Sequence, residues 1–178
     1  MTLYEEAQKV LSGLSDGSPL RQRFLDLLAT GPGSVLPHAA GPHLTASALV
    51  VDPVHGKVLL CLHGRIGKWV QMGGHCEPGD PTLAAAALRE AREESGIDGL
   101  VVSPEPIGID VHPVRCKYGP SEHFDVRYAV LAPPGAVEVC SPESRALGWF
   151  APDALPTPLA DATEELVAPA LRWVTNTR

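Results

Sequence analysis

A chain of 178 residues, 44% of them hydrophobic, has material for one packed domain with a short extension and is too apolar for global disorder. Its formal net charge of −7, with no basic stripe, argues against a nucleic-acid partner, although an acidic chain can still bind phosphates through a bridging divalent cation. No charged-then-apolar leader opens the sequence and no apolar run nears the ~20 residues of a membrane span, so the expected compartment is the cytoplasm, with no membrane partner.

Residues 2–30 are predicted to be helical in two pieces. Leu3, Ala7, Val10, Leu11 and Leu14 recur near helical spacing, "SDGSP" interrupts, and Leu20, Phe24, Leu27 and Leu28 resume it. The Gly- and Pro-rich "GPGSVLPHAAGPH" reads as a connector, which divides a helical extension with its connector (1–40) from the main domain (41–178). The extension is either an appendage or a cover for one face of that domain.

Strands are expected at "LTASALVVD" and "KVLLCLH", joined by the turn "PVHG". Cys61 lies in the second apolar run. None of Cys61, Cys76, Cys116 and Cys140 forms a C-x-x-C pair, so buried or incidental thiols are expected. "WVQM" is short and extended. After a helix come "LVVSPEPIGIDVHPVR" and "EHFDVRYAVLA", a hairpin turning at Gly119-Pro120, then the strand "ALGWFAPDALP" and the helix "DATEELVAPALRWVTNT". The class is α/β, a mixed sheet between helices.

The helix in the middle is expected to span Pro81–Ser95, with Asp80 as N-cap, Pro81 in the first position and Gly96 as the stop. Ala84, Ala87, Leu88 and Ala91 give it a narrow apolar stripe. Glu90, Glu93 and Glu94 stand at i, i+3 and i+4, so their carboxylates share a face. They repel one another, and they sit in the last turn, where the helix dipole disfavours negative charge. A hard cation such as Mg²⁺ or Mn²⁺, itself a common partner of phosphates, would offset both costs. The alternative is a solvated acidic face neighboured by Arg89 and Arg92.

Strand alternation gives the hairpin a polar face of Asp110 and His112 on one strand and His123, Asp125 and Arg127 on the other, opposite Phe124, Val126, Tyr128 and Val130. That face either lines a substrate pocket, with Arg127 or a histidine on phosphate, or is a solvated sheet surface. Trp69 is either a stacking platform for a base or a core residue. His75 reads as a loop residue.

The stretch "GGHCEPGD…REAREESGI" resembles the Nudix box, the signature of Nudix hydrolases. Gly74 opens the pattern, and Asp80 follows five residues later, where the family has Glu. Eight residues rather than seven then lead to Arg89-Glu90-Ala91-Arg92-Glu93-Glu94-Ser95-Gly96-Ile97, which is in register. The resemblance bears directly on about 25 residues, with weaker likeness in "GKWVQMGGH" and "WFAPDALP". It implies an α/β/α sandwich with a mixed β-sheet. It also implies cleavage of a nucleoside diphosphate linked to another group, such as a nucleotide sugar, ADP-ribose or a nucleoside triphosphate, by in-line attack of a metal-activated water. By carry-over, Glu90, Glu93, Glu94 and the Gly73 carbonyl would hold Mg²⁺ or Mn²⁺, and Arg89 would orient the carboxylates. Asp80 would orient the loop or pair with Arg89. The general base is left between Glu90, Glu93 and Glu143, and His112, His123, Asp125 and Arg127 are the candidates for substrate contact. Family members are often homodimers. A Nudix-fold domain that binds a nucleotide without turnover is the alternative, and such a domain should lack the metal-binding glutamates.

Overall fold

The computed structural model describes residues 1–15, 19–37, 41–116, 119–142 and 144–177, Cys116 by its backbone only. Helix α1 (Leu3–Gly13) starts from a capping box: the Thr2 hydroxyl accepts from the Glu5 N–H, and the Glu5 carboxylate accepts from the Thr2 N–H. Helix α2 (Pro19–Ala29) begins on a proline, whose missing donor no helix start requires. The connector contains a 3₁₀ turn, Pro32–Val35.

Among the described residues eight strands follow: β1 (His43–Asp52), β2 (Lys57–His63), β3 (Trp69–Val70), β4 (Met72–His75), β5 (Val101–Val102), β6 (Gly108–Cys116), β7 (Gly119–Leu131) and β8 (Ser144–Phe150). Helix α3 (Leu83–Ser95) lies between β4 and β5, and helix α4 (Val167–Asn176) closes the chain. All eight strands share one sheet, and β1 is its axis. It runs parallel to β7 on one side and antiparallel to β2 and β4 on the other. Burial on both faces from His43 to Val51 is what a central strand requires.

Alternation then distributes the two cores. Leu44, Ala46, Ala48 and Val50 of β1 and Phe124, Val126, Tyr128 and Val130 of β7 join residues of α1, α2 and α3 in one cluster. Leu49, Val51, Val58, Leu60 and Ala129 pack with Val167, Ala170 and Val174 of α4 on the other. This is an α/β/α sandwich with a mixed sheet. The N-terminal helices cover a face: Ala7, Leu11, Phe24, Leu27 and Leu28 belong to the first cluster. Phe24 meets Phe124 edge-on at 5.1 Å, and Arg23 pairs with Glu122 at 3.0 Å.

Several boundaries differ from expectation, among them the final helix, which begins at Val167 rather than at Asp161. Gly119 and Pro120 already belong to β7, paired with Cys116 and Arg115, and the residues linking the two strands, 117–118, lie outside the described ones. The run from 100 to 115 divides into β5 and β6 because Pro104 and Pro106, lacking N–H groups, cannot continue a ladder.

Helix α1 also reaches α3. Glu6, buried, accepts the N–H of Leu83, the first residue of α3, at 3.0 Å. Burial pushes the Glu6 carboxyl up, and this hydrogen bond pulls it back. Glu6→Ala should lower unfolding stability by about 1–2 kcal/mol, the usual cost of a lost helix-start acceptor, with Glu6→Gln less affected. Urea denaturation checks this; an unchanged midpoint for Glu6→Ala would separate α1 from the footing of α3.

Candidate active site

The start of α3 corrects the expectation for Asp80 and Pro81. Thr82 is the N-cap, its hydroxyl accepting from the Ala85 N–H at 3.0 Å, and the helix begins at Leu83. Asp80 does not cap because its oxygens are engaged elsewhere, by Arg89 and by the Glu77 N–H. Pro81 and Thr82 form a bend, where a surplus residue can sit without moving the glutamates. The buried stripe is Leu83, Ala86, Ala87, Ala91 and Ser95; Ala84 and Leu88 lie at its edges, half-buried. Gly96 ends the helix at φ 65°, where its N–H donates to the Arg92 carbonyl at 2.8 Å.

Arg89 is the hub. Its Nε and Nη2 donate to the two Asp80 oxygens at 3.1 and 3.0 Å, and Nη2 also donates to the His75 carbonyl at 2.8 Å. Its Nη1 donates to Glu90 at 2.9 Å and to Glu93 at 3.2 Å. Asp80 first, then Glu90, hold the guanidinium firmly protonated against partial burial. Asp80, Glu90 and Glu93 around one cation leave the cluster net negative, before Glu94 is added.

Glu94 turns to β4, where its carboxylate accepts the Gly73 N–H at 2.9 Å. It also adjoins the buried Cys61 thiol, which burial, reinforced by Glu94, pushes up to about 12. The two glycines of β4 face opposite ways. A Cβ on Gly73 would lie 2.4 Å from the Cβ of Ser47 on β1, and one on Gly74 would lie 2.7 Å from a Glu90 carboxylate oxygen. Side-chain-free backbone thus brings β4 against both its neighbour strand and the glutamates. Arg89, Glu90, Glu93, Glu94 and Gly73, named from the sequence, come together here. Glu93 is far more open than Glu90, 59% exposed against 15%. Glu143 lies outside the described residues.

The second polar group is not a solvated surface. Asp125 and Arg127 are buried, and Asp125 accepts from Thr45, Ser47 and Arg127 at 3.1, 2.7 and 2.9 Å. Arg127 donates further to Asp110 at 2.9 Å and to the Ala162 carbonyl at 3.1 Å. This corrects the expectation that Asp125 and Arg127 meet substrate directly: the guanidinium's nitrogens and the carboxylate's oxygens are engaged inside the fold. A buried ion pair persists only when hydrogen bonds offset its desolvation, and here each guanidinium nitrogen and each carboxylate oxygen has a partner. Gln71 and Thr163 extend the network. His112, partly exposed, hydrogen-bonds Asp110 at 2.9 Å; this contact, then Arg127, holds the Asp110 carboxyl below the usual carboxylate range.

His75 is the third correction. It ends β4, where the Thr45–His75 register turns its ring to the polar face, beside His43 and His123. Burial, then His75 and His43, push His123 down to about 3. Trp69 packs edge-on against Phe150 at 4.9 Å, which favours its core reading. The sequence reading missed His43, Thr45, Ser47, Gln71 and Thr163. The alternation in "HLTAS" carried a signal for the first three, since it puts them on one face.

These features coincide with known proteins. A family model described as NUDIX domain matches residues 41–174. The fold is similar to a NUDIX-family hydrolase from Clostridium perfringens, at TM-score 0.59 and 22% identity, covering 76% of this chain and 98% of that one. It is also similar to a MutT NUDIX hydrolase from Burkholderia pseudomallei, at TM-score 0.55 and 28% identity, covering 72% and 97%. The NUDIX domain of Shewanella oneidensis NrtR, solved with ADP ribose, aligns at TM-score 0.57 and 21% identity, covering 84% and 97%. The chain belongs to the NUDIX family. No helix among the described residues is long and apolar enough to cross a membrane.

The adjacent glycines should respond differently to one methyl group. Gly73→Ala presses on the body of a neighbouring strand and should cost about 1–3 kcal/mol of stability. Gly74→Ala meets only the end of a flexible side chain, so stability should change by less than about 1 kcal/mol while turnover falls, because Glu90 is displaced. Thermal denaturation with kcat on the same samples checks this; the reverse ranking of stabilities would contradict the packing described.

Proposed function

We propose that this chain is a Mg²⁺-dependent pyrophosphohydrolase, with Mn²⁺ as a substitute ion, acting on a nucleoside diphosphate linked to another moiety. The observation that carries the reading is the gathering of Glu90 and Glu94 on the Gly73–Gly74 backbone, with Arg89 bridging Glu90 and Glu93. The donor set fits the ion: hard carboxylate oxygens on a glycine cradle that a side chain would fill. Glu90, Glu93, Glu94 and the Gly73 carbonyl would hold it. When bound, it supplies positive charge to the pyrophosphate and acidifies a water.

The chain's own residues do the rest. Arg89 fixes the carboxylates by charge-assisted hydrogen bonds and anchors them to the loop through Asp80. The Gly73 N–H orients Glu94. Glu93, the more open of the two helix glutamates that Arg89 bridges, is suited to take the proton of the attacking water, in competition with Glu90 and Glu143. The water's oxygen attacks phosphorus in line and the anhydride P–O bond breaks. His112 at the rim and His123 below it are the proposed substrate contacts, over a floor fixed by Asp125 and Arg127.

Retention without turnover is the competing reading, favoured by the likeness to a domain solved with ADP ribose. The three glutamates weigh against it. Phosphate-release assays across nucleotide sugars, ADP-ribose, nucleoside triphosphates and dinucleoside polyphosphates, with Mg²⁺ and with Mn²⁺, decide between the two. Turnover is expected, and Glu94→Gln should lower it by roughly 10²-fold or more. Tight binding with no turnover of any substrate would favour the alternative, and wild-type rates in Glu90→Gln and Glu94→Gln would remove the assigned metal site.

A further inference from the structure

Three imidazoles stand together on the sheet face opposite α3. His43 opens β1, His75 ends β4 and His123 lies on β7, so three adjacent strands each contribute one ring. The ring centroids are 5.0 Å apart in every pairing. One nitrogen from each lies within 4.8 Å of the others, and the Nε2 atoms of His75 and His123 are 3.2 Å apart. The His75–His123 contact is of hydrogen-bond length, one ring nitrogen donating to the other.

His43 supplies the decisive observation. Its Nδ1 lies 2.9 Å from the Gly41 carbonyl, which can only accept, so Nδ1 carries the hydrogen. In the neutral ring the lone pair is then on Nε2. That atom is buried, in a residue 2% exposed, and has no hydrogen-bond partner among the described residues. Buried polar atoms without partners are costly and uncommon. A ring pinned through one nitrogen to a carbonyl, with the other left bare toward two more imidazoles, is how metal-ligating histidines are held.

We propose that His43, His75 and His123 form a second cation site, built of imidazole only and suited to a late first-row divalent ion such as Zn²⁺. Imidazole suits Zn²⁺, Cu²⁺ and Ni²⁺, whereas Mg²⁺ prefers oxygen. Zinc–nitrogen bonds of about 2.0–2.1 Å in a tetrahedron put nitrogens roughly 3.3–3.4 Å apart. The His75–His123 pair is already near that separation, and rotation of the side chains closes the rest. Three protein ligands leave a fourth position open. His112, its Nδ1 bonded to Asp110 and its ring 5.6 Å from that of His123, stands beside the cluster. The two sites touch through β4: the His75 carbonyl holds Arg89 while its ring faces the histidines.

The test uses the untagged full-length chain, stripped of metal by chelator and kept in excess Mg²⁺. Titration with Zn²⁺ by calorimetry should give one equivalent bound, and affinity should fall about 10²-fold or more in His43→Gln and in His123→Gln. Glu94→Gln should bind zinc as wild type does. X-ray absorption of the zinc-loaded wild-type chain should give three imidazole nitrogens at about 2.0–2.1 Å, a readout that no variant's folding affects. No zinc bound, or a shell of carboxylate oxygens, or undiminished affinity in folded His43→Gln and His123→Gln would each overturn the proposal. Because the readout is zinc binding, its failure leaves the hydrolase reading untouched.

Discussion

Arg89 donates to Asp80 in the loop, to Glu90 and Glu93 on its own helix and to the carbonyl of His75 on β4, so one guanidinium joins three segments at the candidate active site. A lysine could not do this. Its ammonium is a point charge, whereas the planar fork reaches two carboxylate oxygens on one side and two further acids on another. The repulsion among the glutamates, destabilising on a bare helix, is here partly met from within the fold. What remains is an excess of negative charge beside a glycine backbone, the condition under which a hard cation is welcome.

The sheet makes this possible by changing character along its length. On the face toward α4, β1 and β7 are polar in their first halves, at His43, Thr45, Ser47, His123, Asp125 and Arg127, and apolar beyond, at Leu49, Val51 and Ala129. Helix α4 seals the apolar half. Within the polar half, Thr45, Ser47, Asp110 and the Ala162 carbonyl engage Asp125 and Arg127, so that a buried arginine and aspartate form a floor rather than a binding surface. On the other face, small side chains of α3 and the bare backbone of Gly74 let the helix approach closely enough for Glu94 to reach a strand N–H. Helices α1 and α2 complete that face and brace the start of α3 through Glu6.

Much of this was legible in the sequence, for identifiable reasons. Period-2 and period-3.6 patterns are strong in β1, β2, α3 and α4, so the α/β class and the glutamate face could be read directly. The spacing within Arg89–Glu94 put Glu90, Glu93 and Glu94 on one face because a helix turns fixed spacing into fixed geometry. What failed depended on partners distant in sequence. Asp80 pairs with Arg89, as the resemblance implied, but it does not cap the helix as its place before Pro81 suggested; Thr82 does. His75 looked like loop because β4 exists only where β1 pairs with it. Arg127 looked like a phosphate contact because nothing local reveals that Asp110, Asp125 and the Ala162 carbonyl engage its donors.

The central claim is that Arg89 shapes a preorganised carboxylate site for a hard cation. The most direct measurement is the affinity of Mn²⁺, followed by electron paramagnetic resonance, in wild type and in Arg89→Lys, with circular dichroism to establish that both are folded. The expected result is Mn²⁺ binding in wild type that weakens by about 10–100-fold in Arg89→Lys, the usual cost of losing a group that orients metal ligands. Equal or tighter binding in a folded Arg89→Lys chain would contradict it.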